Sequence, residues 1–535
     1  MLRNPNYVYG SRDLEVPMHL NLGEYMLEKL KQFQDNVCII NGATNESITY
    51  GTILQQSTNF AMSLSRSGLK KGQVVGILSE NRNEFWSAVL GVVYTGAVVT
   101  TFSTSYVEGE LKHVLNISKP KFIICSPAMY RKHAKTLHSQ TFIKKIILFG
   151  NERLRNTVLF DELIETDVKL DEFEAVDVDG QTDTVFIIYS SGTTGLPKGV
   201  MLTHLNIIVS CVLPAGLNPS EKSFAISPWY HTMGLVGSIT AMVTGRTGVY
   251  LSKFDVDTYL KIIETYKIPQ LTVVPPVLVA VCKTKSKYDL SSVKIIYSGA
   301  APLHKETINA VRDTFPKVEA VVQGYGASEA SLAITRVWYS DRHYAAKHKQ
   351  GSVGNVVNGA VIKVVDIETR KALGSNQQGE ICVKGPIVMK GYVGVGNGDY
   401  FDNEGFYKTG DVGYYDQDGY FYIEDRLKEL IKYKGFQVPP AELEALLLTH
   451  PAVKDAGVIG IPDKNAGEVP LAFVAVQQGA TVDAQQLQQF VAERLSNPKH
   501  LRGGVRFVEN IPKSVSGKIL RKEMRKMVKL GKSRL

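Results

Sequence analysis

A buried strand that leads directly into a turn rich in glycine and hydroxyl groups organises this sequence: Val185-Phe-Ile-Ile-Tyr-Ser-Ser-Gly-Thr-Thr-Gly-Leu-Pro-Lys-Gly199. Glycines let consecutive backbone N–H groups point toward one centre, while the hydroxyls and Lys198 add donors and a positive charge. The turn is not a Walker A loop, because Pro197 precedes the lysine and Gly199 follows it. We predict a phosphate cradle made by Ser190, Ser191, Gly192, Thr193, Thr194, Gly195 and Lys198.

On both sides of this turn, short β-branched runs alternate with helical stretches. The predicted strands are 74–78, 122–125, 145–149, 185–189, 271–274 and 294–297. This alternation predicts βα units and largely parallel sheets that are covered on both faces. Beyond about Gly351 the pattern becomes glycine-rich and alternating, which favours antiparallel hairpins, and a tight turn is predicted at 416–419.

The length of 535 residues exceeds what one hydrophobic core supports, so at least two domains are expected. A charge-dense run, Glu424-Asp-Arg-Leu-Lys428, precedes a predicted helix at 440–449, a strand at 457–461 and a helix at 483–495. We predict an α/β fold in two domains. Residues 1–425 form a large N-terminal domain of αβ-layered sheets with a β-barrel-like subdomain, and residues 426–535 form a small mobile α+β domain.

The positive charge of the chain is concentrated near its end. The net charge is +9, and nine lysines or arginines against the single acid Glu523 lie between Lys513 and Leu535. The excess therefore belongs to the tail and not to a groove that would hold nucleic acid, so no nucleic-acid partner is expected. The composition, 44% hydrophobic and 21% charged, is typical of a globular protein.

Cysteine spacing and the termini bear on the compartment. The five cysteines lie far apart without a CxxC pair, which indicates buried thiols in a reducing compartment. The N-terminus lacks the apolar core of a secretory signal. The final residues, Ser533-Arg534-Leu535, resemble the peroxisomal signal Ser-Lys-Leu, so we predict a peroxisomal import receptor as a partner, with a cytoplasmic location otherwise.

The uncharged stretch Phe85 to Val107 is long enough to raise the question of a membrane span. It contains Gly91, Gly96 and several hydroxyl residues, and it divides into a helix up to Gly96 and a β-branched strand from Ala97 to Phe102. We therefore predict a buried helix and strand of an α/β sheet and no membrane span.

Further motifs occur in order along the chain: Tyr297-Ser-Gly-Ala-Ala-Pro-Leu303, Gln323-Gly-Tyr-Gly-Ala-Ser-Glu329, Tyr407-Lys-Thr-Gly-Asp411, Asp425-Arg-Leu-Lys-Glu-Leu-Ile-Lys-Tyr-Lys-Gly435 and Ser516-Gly-Lys518. With them the chain resembles, over nearly its whole length, the adenylate-forming superfamily of acyl-CoA synthetases, plant coumarate-CoA ligases and beetle luciferases. The resemblance implies an enzyme that uses ATP, Mg²⁺ and coenzyme A to convert a carboxylic acid first to an acyl-adenylate and then to a thioester.

The resemblance also implies the roles of individual residues in adenylation. Glu329 would hold Mg²⁺, Ser328 would meet the α-phosphate, and Lys518 would bridge the carboxylate and the phosphate. A carboxylate accepts two hydrogen bonds, which suits Asp411 to the ribose diol, with Arg426 assisting. The adenine slot would be formed by Gly299, Ala300, Ala301, Pro302 and Tyr325, and Gln323 and Gly324 would also bind ATP.

For the second half-reaction, the resemblance implies that the small domain rotates about a hinge, because a thiol must reach the acyl carbon from the side that Lys518 blocks. The hinge corresponds to Asp425 and Lys428. After rotation, Lys432 and Gly435 would face the site and serve the coenzyme A step.

The acid is predicted from the residues implied to line its pocket, which are Tyr230, His231, Leu332 and Ala333. Where beetle luciferases typically have a second histidine, an arginine and a serine, this chain has Tyr230, Ser210 and Leu332. A leucine makes the pocket wall apolar and suits an alkyl chain, so we favour a medium- to long-chain fatty acid.

Four alternatives remain: a luciferase-type monooxygenase that acts on an adenylated luciferin, a ligase of aromatic acids like coumarate, an enzyme that loads a carrier protein, and a non-catalytic nucleotide-binding homologue. The last would be expected to lack one of four residues, Lys198, Glu329, Asp411 or Lys518, and the sequence contains them all.

Overall fold

The computed structural model describes residues 4–11, 15–165, 167–190, 197–212, 220–299, 303, 305–337, 349–396, 398–434, 436–514 and 517–532. The strands, in chain order, are β1 Tyr7–Tyr9, β2 Val37–Asn41, β3 Ser47–Thr49, β4 Val74–Leu78, β5 Val98–Thr101, β6 Phe122–Cys125, β7 Lys145–Leu148, β8 Val158–Leu159, β9 Thr184–Ser190, β10 Lys198–Thr203, β11 Ser223–Ala225, β12 Gly248–Tyr250, β13 Gln270–Val273, β14 Ile295–Ser298, β15 Ala320–Gln323, β16 Thr335–Arg336, β17 Asn355–Val356, β18 Val361–Val365, β19 Gly379–Lys384, β20 Gly391–Tyr392, β21 Tyr407–Tyr415, β22 Phe421–Arg426, β23 Ile431–Tyr433, β24 Phe436–Val438, β25 Val453–Asp463, β26 Gly467–Val476 and β27 Val505–Phe507.

The α-helices are α1 Leu22–Gln32, α2 Tyr50–Arg66, α3 Phe85–Tyr94, α4 Glu108–Ser118, α5 Pro127–His138, α6 Phe160–Leu163, α7 His204–Cys211, α8 Thr232–Val243, α9 Val256–Tyr266, α10 Pro275–Lys283, α11 Lys305–Thr314, α12 Pro440–Leu448, α13 Ala484–Ala492 and α14 Arg521–Lys532. Short 3₁₀ turns lie at Ser328–Ala330 and Asn497–Lys499.

Two mostly parallel sheets form the N-terminal domain, as the alternation of β-branched runs and helices predicts. One has the order β20-β10-β9-β5-β4-β6-β7-β8 and the other β15-β14-β13-β11-β12-β2-β3. Only the strands at their ends pair antiparallel: β10 with β9 and β20, and β3 with β2. The strand ends that carry the motifs, after β9, β14 and β15, are carboxyl ends, which is where α/β sheets bind ligands.

A third, antiparallel sheet follows in the order β1-β18-β19-β21-β22, which confirms the change of pattern beyond about Gly351. The predicted tight turn joins β21 to β22, where the N–H of Gly419 donates to the carbonyl of Asp416 at 3.0 Å. The hairpin pairs Asp411 directly with Arg426.

The small C-terminal domain has its own sheet, β24-β23-β26-β25 with β27 beside β26, and its own core. Leu443, Val458 and Leu487 are fully buried there. This confirms a small α+β domain after the large one. The boundary between residues 425 and 426 stays a prediction; Arg426 is still the last residue of β22, so the strand of the large domain runs up to that point.

The stretch Phe85 to Val107 forms α3 and β5, and every residue of both elements is buried. Within the described ranges, no helix is long and apolar enough to cross a membrane. The cysteines are free thiols; Cys38, Cys125, Cys211 and Cys382 are buried, whereas Cys282 is half-buried and departs from the expected burial.

Candidate active site

The ends of the predicted phosphate cradle come together because β9 and β10 pair antiparallel, which places Ser190 opposite Lys198. The Ser190 hydroxyl oxygen is buried, and none of the described residues binds it. A buried hydroxyl of this kind is costly unless a ligand or a neighbouring group satisfies it. The remaining predicted members, Ser191, Gly192, Thr193, Thr194 and Gly195, lie outside the described residues.

The Lys198 ammonium lies between two tyrosine rings. Its Nζ donates to the Tyr400 hydroxyl at 2.8 Å and lies 4.6 Å from the centre of that ring and 5.2 Å from the centre of the Tyr392 ring. Cation–π contacts attract the ammonium only modestly, so a phosphate anion could compete for it.

Glu329 is a buried carboxylate, with 7% of its surface exposed, beside this lysine and its tyrosines. Its Oε1 accepts the Tyr392 hydroxyl at 2.8 Å. Among the described residues, no lysine, arginine or histidine forms an ion pair with it, and no cluster of three potential metal ligands occurs. Arg426 influences Glu329 electrostatically without contacting it. A buried carboxylate that no cation contacts directly fits a metal ion whose other ligands come from a bound molecule.

The predicted ribose group is assembled from two sheets. Asp411, 5% exposed, accepts the Tyr325 hydroxyl at 2.7 Å through Oδ2 and receives Arg426 Nε at 3.0 Å through Oδ1. Burial and the Asp411 charge raise the pKa of Tyr325 well above its usual value, so its hydroxyl stays a donor. The structure thus places Tyr325, which is assigned to the adenine slot, in contact with the Asp411–Arg426 pair assigned to the ribose.

The predicted adenine slot is described only in part. Gly299 follows β14, and a Cβ there would lie 3.7 Å from Met233 Cε and 3.5 Å from the Gly324 carbonyl oxygen. The segments that follow β14 and β15 therefore pass close to each other. Gln323 Oε1 accepts the Leu303 N–H at 2.8 Å, which ties the end of the slot to β15. Ala300, Ala301 and Pro302 lie outside the described residues.

Lys518 comes from the small domain and lies within electrostatic reach of Asp411 and Arg426. Burial and, next, the positive charge of Arg426 lower the pKa of Lys518 to about 8, while Asp411 acts in the opposite direction. These effects require that Lys518 lies near the Asp411–Arg426 pair. The neighbouring Gly517 packs against Pro276 of the large domain.

The predicted hinge is tied to the small domain. The Asp425 carboxylate accepts the N–H of Ala441, at the start of α12, at 2.9 Å, and burial raises the Asp425 pKa. A carboxylate at a helix N-terminus stabilises that end of the helix. The Lys428 side chain is exposed.

Lys432, predicted for the coenzyme A step, does not contact the site groups in this arrangement. The Lys432 side chain is exposed, and its backbone N–H donates to Glu468 at 3.0 Å. Within the described part of the chain, none of the site groups contacts Lys432. Gly435 lies outside the described residues.

His231 lies at the start of α8. Its side chain is exposed to solvent, yet the protein packed around it lowers the pKa of His231 to about 4 by desolvation. The imidazole is therefore neutral at physiological pH. The neighbouring Tyr230 ring lies 4.7 Å from it, centre to centre.

Leu332 and Ala333 are partly buried and pack on the main core. The backbone at Leu332 and at the residue before it is unusual, since Ser331 and Leu332 have positive φ angles of 54° and 120°. Residues other than glycine seldom adopt positive φ angles, and backbone strain of this kind concentrates at functional sites. The turn also requires Gly326, because a Cβ there would overlap the Leu332 carbonyl.

Sequence reasoning missed three residues that contact the predicted site. Tyr392 binds Glu329, which lies 63 positions away in the chain. Tyr400 binds Lys198, which lies 202 positions away. Thr232 donates to Ser328, 96 positions away, at 2.8 Å. The position of Thr232 next to His231 was the only local signal; the tyrosines lie outside the motifs.

Comparison with known proteins gives consistent matches. One family model, described as AMP-binding enzyme, matches residues 27–393, and a second, described as AMP-binding enzyme C-terminal domain, matches residues 442–518. The chain is 39% identical over 533 residues to 4-coumarate-CoA ligase 2 of Petroselinum crispum, covering 97% of this chain and 96% of that protein.

The chain is also 36% identical over 554 residues to luciferin 4-monooxygenase of Photuris pensylvanica, covering 100% of both chains. Among solved structures, ATP-bound MatB from Rhodopseudomonas palustris is similar with a TM-score of 0.84 and 27% identity, covering 95% of this chain and 99% of that chain.

Proposed function

The chain belongs to the AMP-binding enzyme family, and we propose that this ATP-dependent acid-CoA ligase acts on medium- to long-chain fatty acids through an acyl-AMP intermediate. One observation carries the proposed assignment of the site. Lys518 of the small domain lies within electrostatic reach of the Asp411–Arg426 pair, which itself contacts Tyr325, just after the carboxyl end of β15.

In the first step, a carboxylate oxygen of the acid attacks the α-phosphorus of ATP, and pyrophosphate leaves. Two anions approach each other, so positive charges and hydrogen-bond donors must neutralise the phosphoryl oxygens. Lys198 would move from its two tyrosine rings to the phosphates, Ser328 would donate to the α-phosphate, and Lys518 would bridge it to the carboxylate. Asp411 would accept hydrogen bonds from the ribose hydroxyls.

Glu329 would hold a Mg²⁺ ion together with the phosphate oxygens. Its burial without an ion pair among the described residues supports this role, and Tyr392 keeps one carboxylate oxygen oriented. When bound, the metal supplies charge neutralisation on the nucleotide.

In the second step, the coenzyme A thiol attacks the acyl carbon and AMP leaves. We propose that the small domain, residues 426–535, rotates at Asp425 and Lys428 between the two steps. Lys432 is exposed while Lys518 lies near the ribose group, which fits two lysines that take turns at one site. Gly435 would approach the site with Lys432.

The fatty acid is proposed from the wall of the acid pocket. His231 is uncharged at neutral pH, and Tyr230, Leu332 and Ala333 add an aromatic ring and aliphatic groups. Leu332 and Ala333 give an alkyl chain a favourable environment, whereas Tyr230 and His231 are the polar members of the wall. The similarity to 4-coumarate-CoA ligase 2 favours a second candidate, a hydroxycinnamic acid.

The test measures formation of AMP and acyl-CoA with a panel of fatty acids of increasing length, coumarate and benzoate. We expect the highest kcat/KM with an alkyl acid, and we expect Leu332→Ser to lower it about tenfold by placing a hydroxyl in an apolar wall. Turnover of coumarate with failure of every alkyl acid would contradict the fatty acid. Light emission with luciferin and ATP would instead favour the monooxygenase.

We also propose a peroxisomal location, through recognition of Ser533-Arg534-Leu535 by the import receptor. These residues lie outside the described ranges. A fluorescent protein fused to the N-terminus should mark peroxisomes, and deletion of the three residues should leave it in the cytoplasm. An unchanged pattern after the deletion would contradict the proposal.

A further inference from the structure

A hydroxyl pair joins the predicted acid site to the predicted phosphate site. Thr232, the first residue of α8, is 6% exposed, and its Oγ1 donates to Ser328 Oγ at 2.8 Å. Ser328 begins the 3₁₀ turn that also carries Glu329. The contact therefore connects the residue after His231 with the residue before the proposed metal ligand.

The direction of this hydrogen bond has a chemical consequence. A serine hydroxyl has one hydrogen to donate and two lone pairs that can accept. Because Thr232 donates, it occupies a lone pair of Ser328 and leaves the Ser328 hydrogen free for another acceptor. Among the described residues, no group accepts that hydrogen.

We propose that Thr232 is a positioning residue, which directs the Ser328 hydrogen toward the α-phosphate of ATP; this inference rests on the proposed function. A phosphate oxygen is the acceptor that this arrangement lacks. Consecutive O–H groups polarise each other, so donation by Thr232 also makes Ser328 a stronger donor as charge develops on the phosphoryl oxygens.

The location of Thr232 suits this role. It is buried, so water does not compete for its hydroxyl, and it belongs to the rigid end of α8 and not to a loop. The same helix end carries His231, which is proposed to line the acid pocket. Thr232 thus holds the α-phosphate donor in a fixed position relative to the acid that must attack there.

The experiment compares Thr232→Val, which replaces the hydroxyl with a methyl group, with Thr232→Ser, which retains it. We expect Thr232→Val to lower kcat for ATP–pyrophosphate exchange about three- to tenfold, the loss of one hydrogen bond in the transition state, with little change in KM for the acid. Thr232→Ser should retain most of the activity. Thr232→Ala, which adds no branched methyl group, is measured alongside in case the valine variant does not fold.

The double variant separates positioning from a structural effect. If Thr232 acts through Ser328, Thr232→Val should cause no further loss when it is added to Ser328→Ala. Equal losses in the two backgrounds, or full activity of both Thr232→Val and Thr232→Ala, would overturn the inference. Absence of exchange in the unmodified enzyme with every acid would instead overturn the proposed function, so the two failures are distinguishable.

Discussion

Gly517 of the small domain lies directly against Pro276 of the large domain. A Cβ on Gly517 would be 2.7 Å from Pro276 Cδ and would overlap Cγ, and its φ of +84° is one that side chains rarely adopt. Pro276 lies in the first turn of α10, a fixed surface of the large domain. The contact allows the turn that carries Lys518 to dock, because only glycine fits both the angle and the space.

Replacement of Gly517 with alanine should therefore impair adenylation. A displacement of Lys518 by about 1 Å can lower the rate about 10²-fold, so we expect a loss approaching that size in ATP–pyrophosphate exchange. Conversion of a supplied acyl-adenylate to acyl-CoA should change little.

The control for that variant is Gly479→Ala in the same domain. Gly479 has a φ of +80° with no atom near its Cβ position, so alanine meets the same backbone cost without a clash. Equal effects of the two substitutions would show that backbone strain, and not the contact with Pro276, causes the loss.

Lys518→Ala should abolish adenylation while largely sparing thioesterification of a supplied acyl-adenylate, because the proposed role of this lysine ends once the adenylate has formed. Each half-reaction is measured separately, by pyrophosphate exchange and by acyl-CoA formation. Lys522→Ala, an exposed lysine nearby in the same tail, is the matched control. Equal loss of both half-reactions would contradict alternation of the two lysines.

The pH dependence of adenylation should report the same lysine. Its pKa is lowered to about 8, so the ammonium form is lost as the pH rises through about 8 in the free enzyme. We expect kcat/KM for ATP to fall above that pH, whereas kcat should fall only at higher pH, because bound phosphates stabilise the ammonium. The variant Lys518→Arg, which stays charged, should lose this decline; an unchanged profile would contradict the assignment.

A buried ion pair in the small domain yields a prediction about stability. Arg521 Nη2 lies 2.7 Å from Glu444 Oε1, with exposed side-chain fractions of 11% and 8%, so this residue of the basic tail is not solvated. Arg521→Met leaves the carboxylate buried without its partner, and we expect a loss of about 3 kcal/mol in the free energy of unfolding. Urea denaturation followed by a probe in the small domain measures it, with Lys522→Met as the control.

The sign of the pH effect on that variant follows from Glu444. Burial raises the pKa of Glu444 to about 7, so the folded protein binds its proton more readily than the unfolded chain does. Its contribution to stability is present below the unfolded pKa and is lost as the pH rises toward 7. The destabilisation by Arg521→Met should therefore be greater at pH 8 than at pH 5, and adding Glu444→Gln should remove that difference.

Much of the architecture follows from local patterns. The runs at Val74–Leu78 and Phe122–Cys125 form strands with the predicted bounds, because β-branched residues buried on both faces favour extended backbone. The Asp411–Arg426 pair also lies within one hairpin, whose turn at Asp416 is recognisable from its residues. Short-range chemistry of this kind can be read from contiguous residues.

The contacts around the site depend on packing between distant segments. Tyr400 meets Lys198, Tyr392 meets Glu329, and Thr232 meets Ser328 only because two sheets and a 3₁₀ turn bring strand ends to one place. No periodicity or motif in the sequence predicts which hydroxyl group contacts which charged or polar side chain. The order of the chain therefore specifies the chemical groups and the elements that carry them. The burial of many side chains at once sets which groups meet, how their pKa values shift and that Lys518, not Lys432, lies near the Asp411–Arg426 pair.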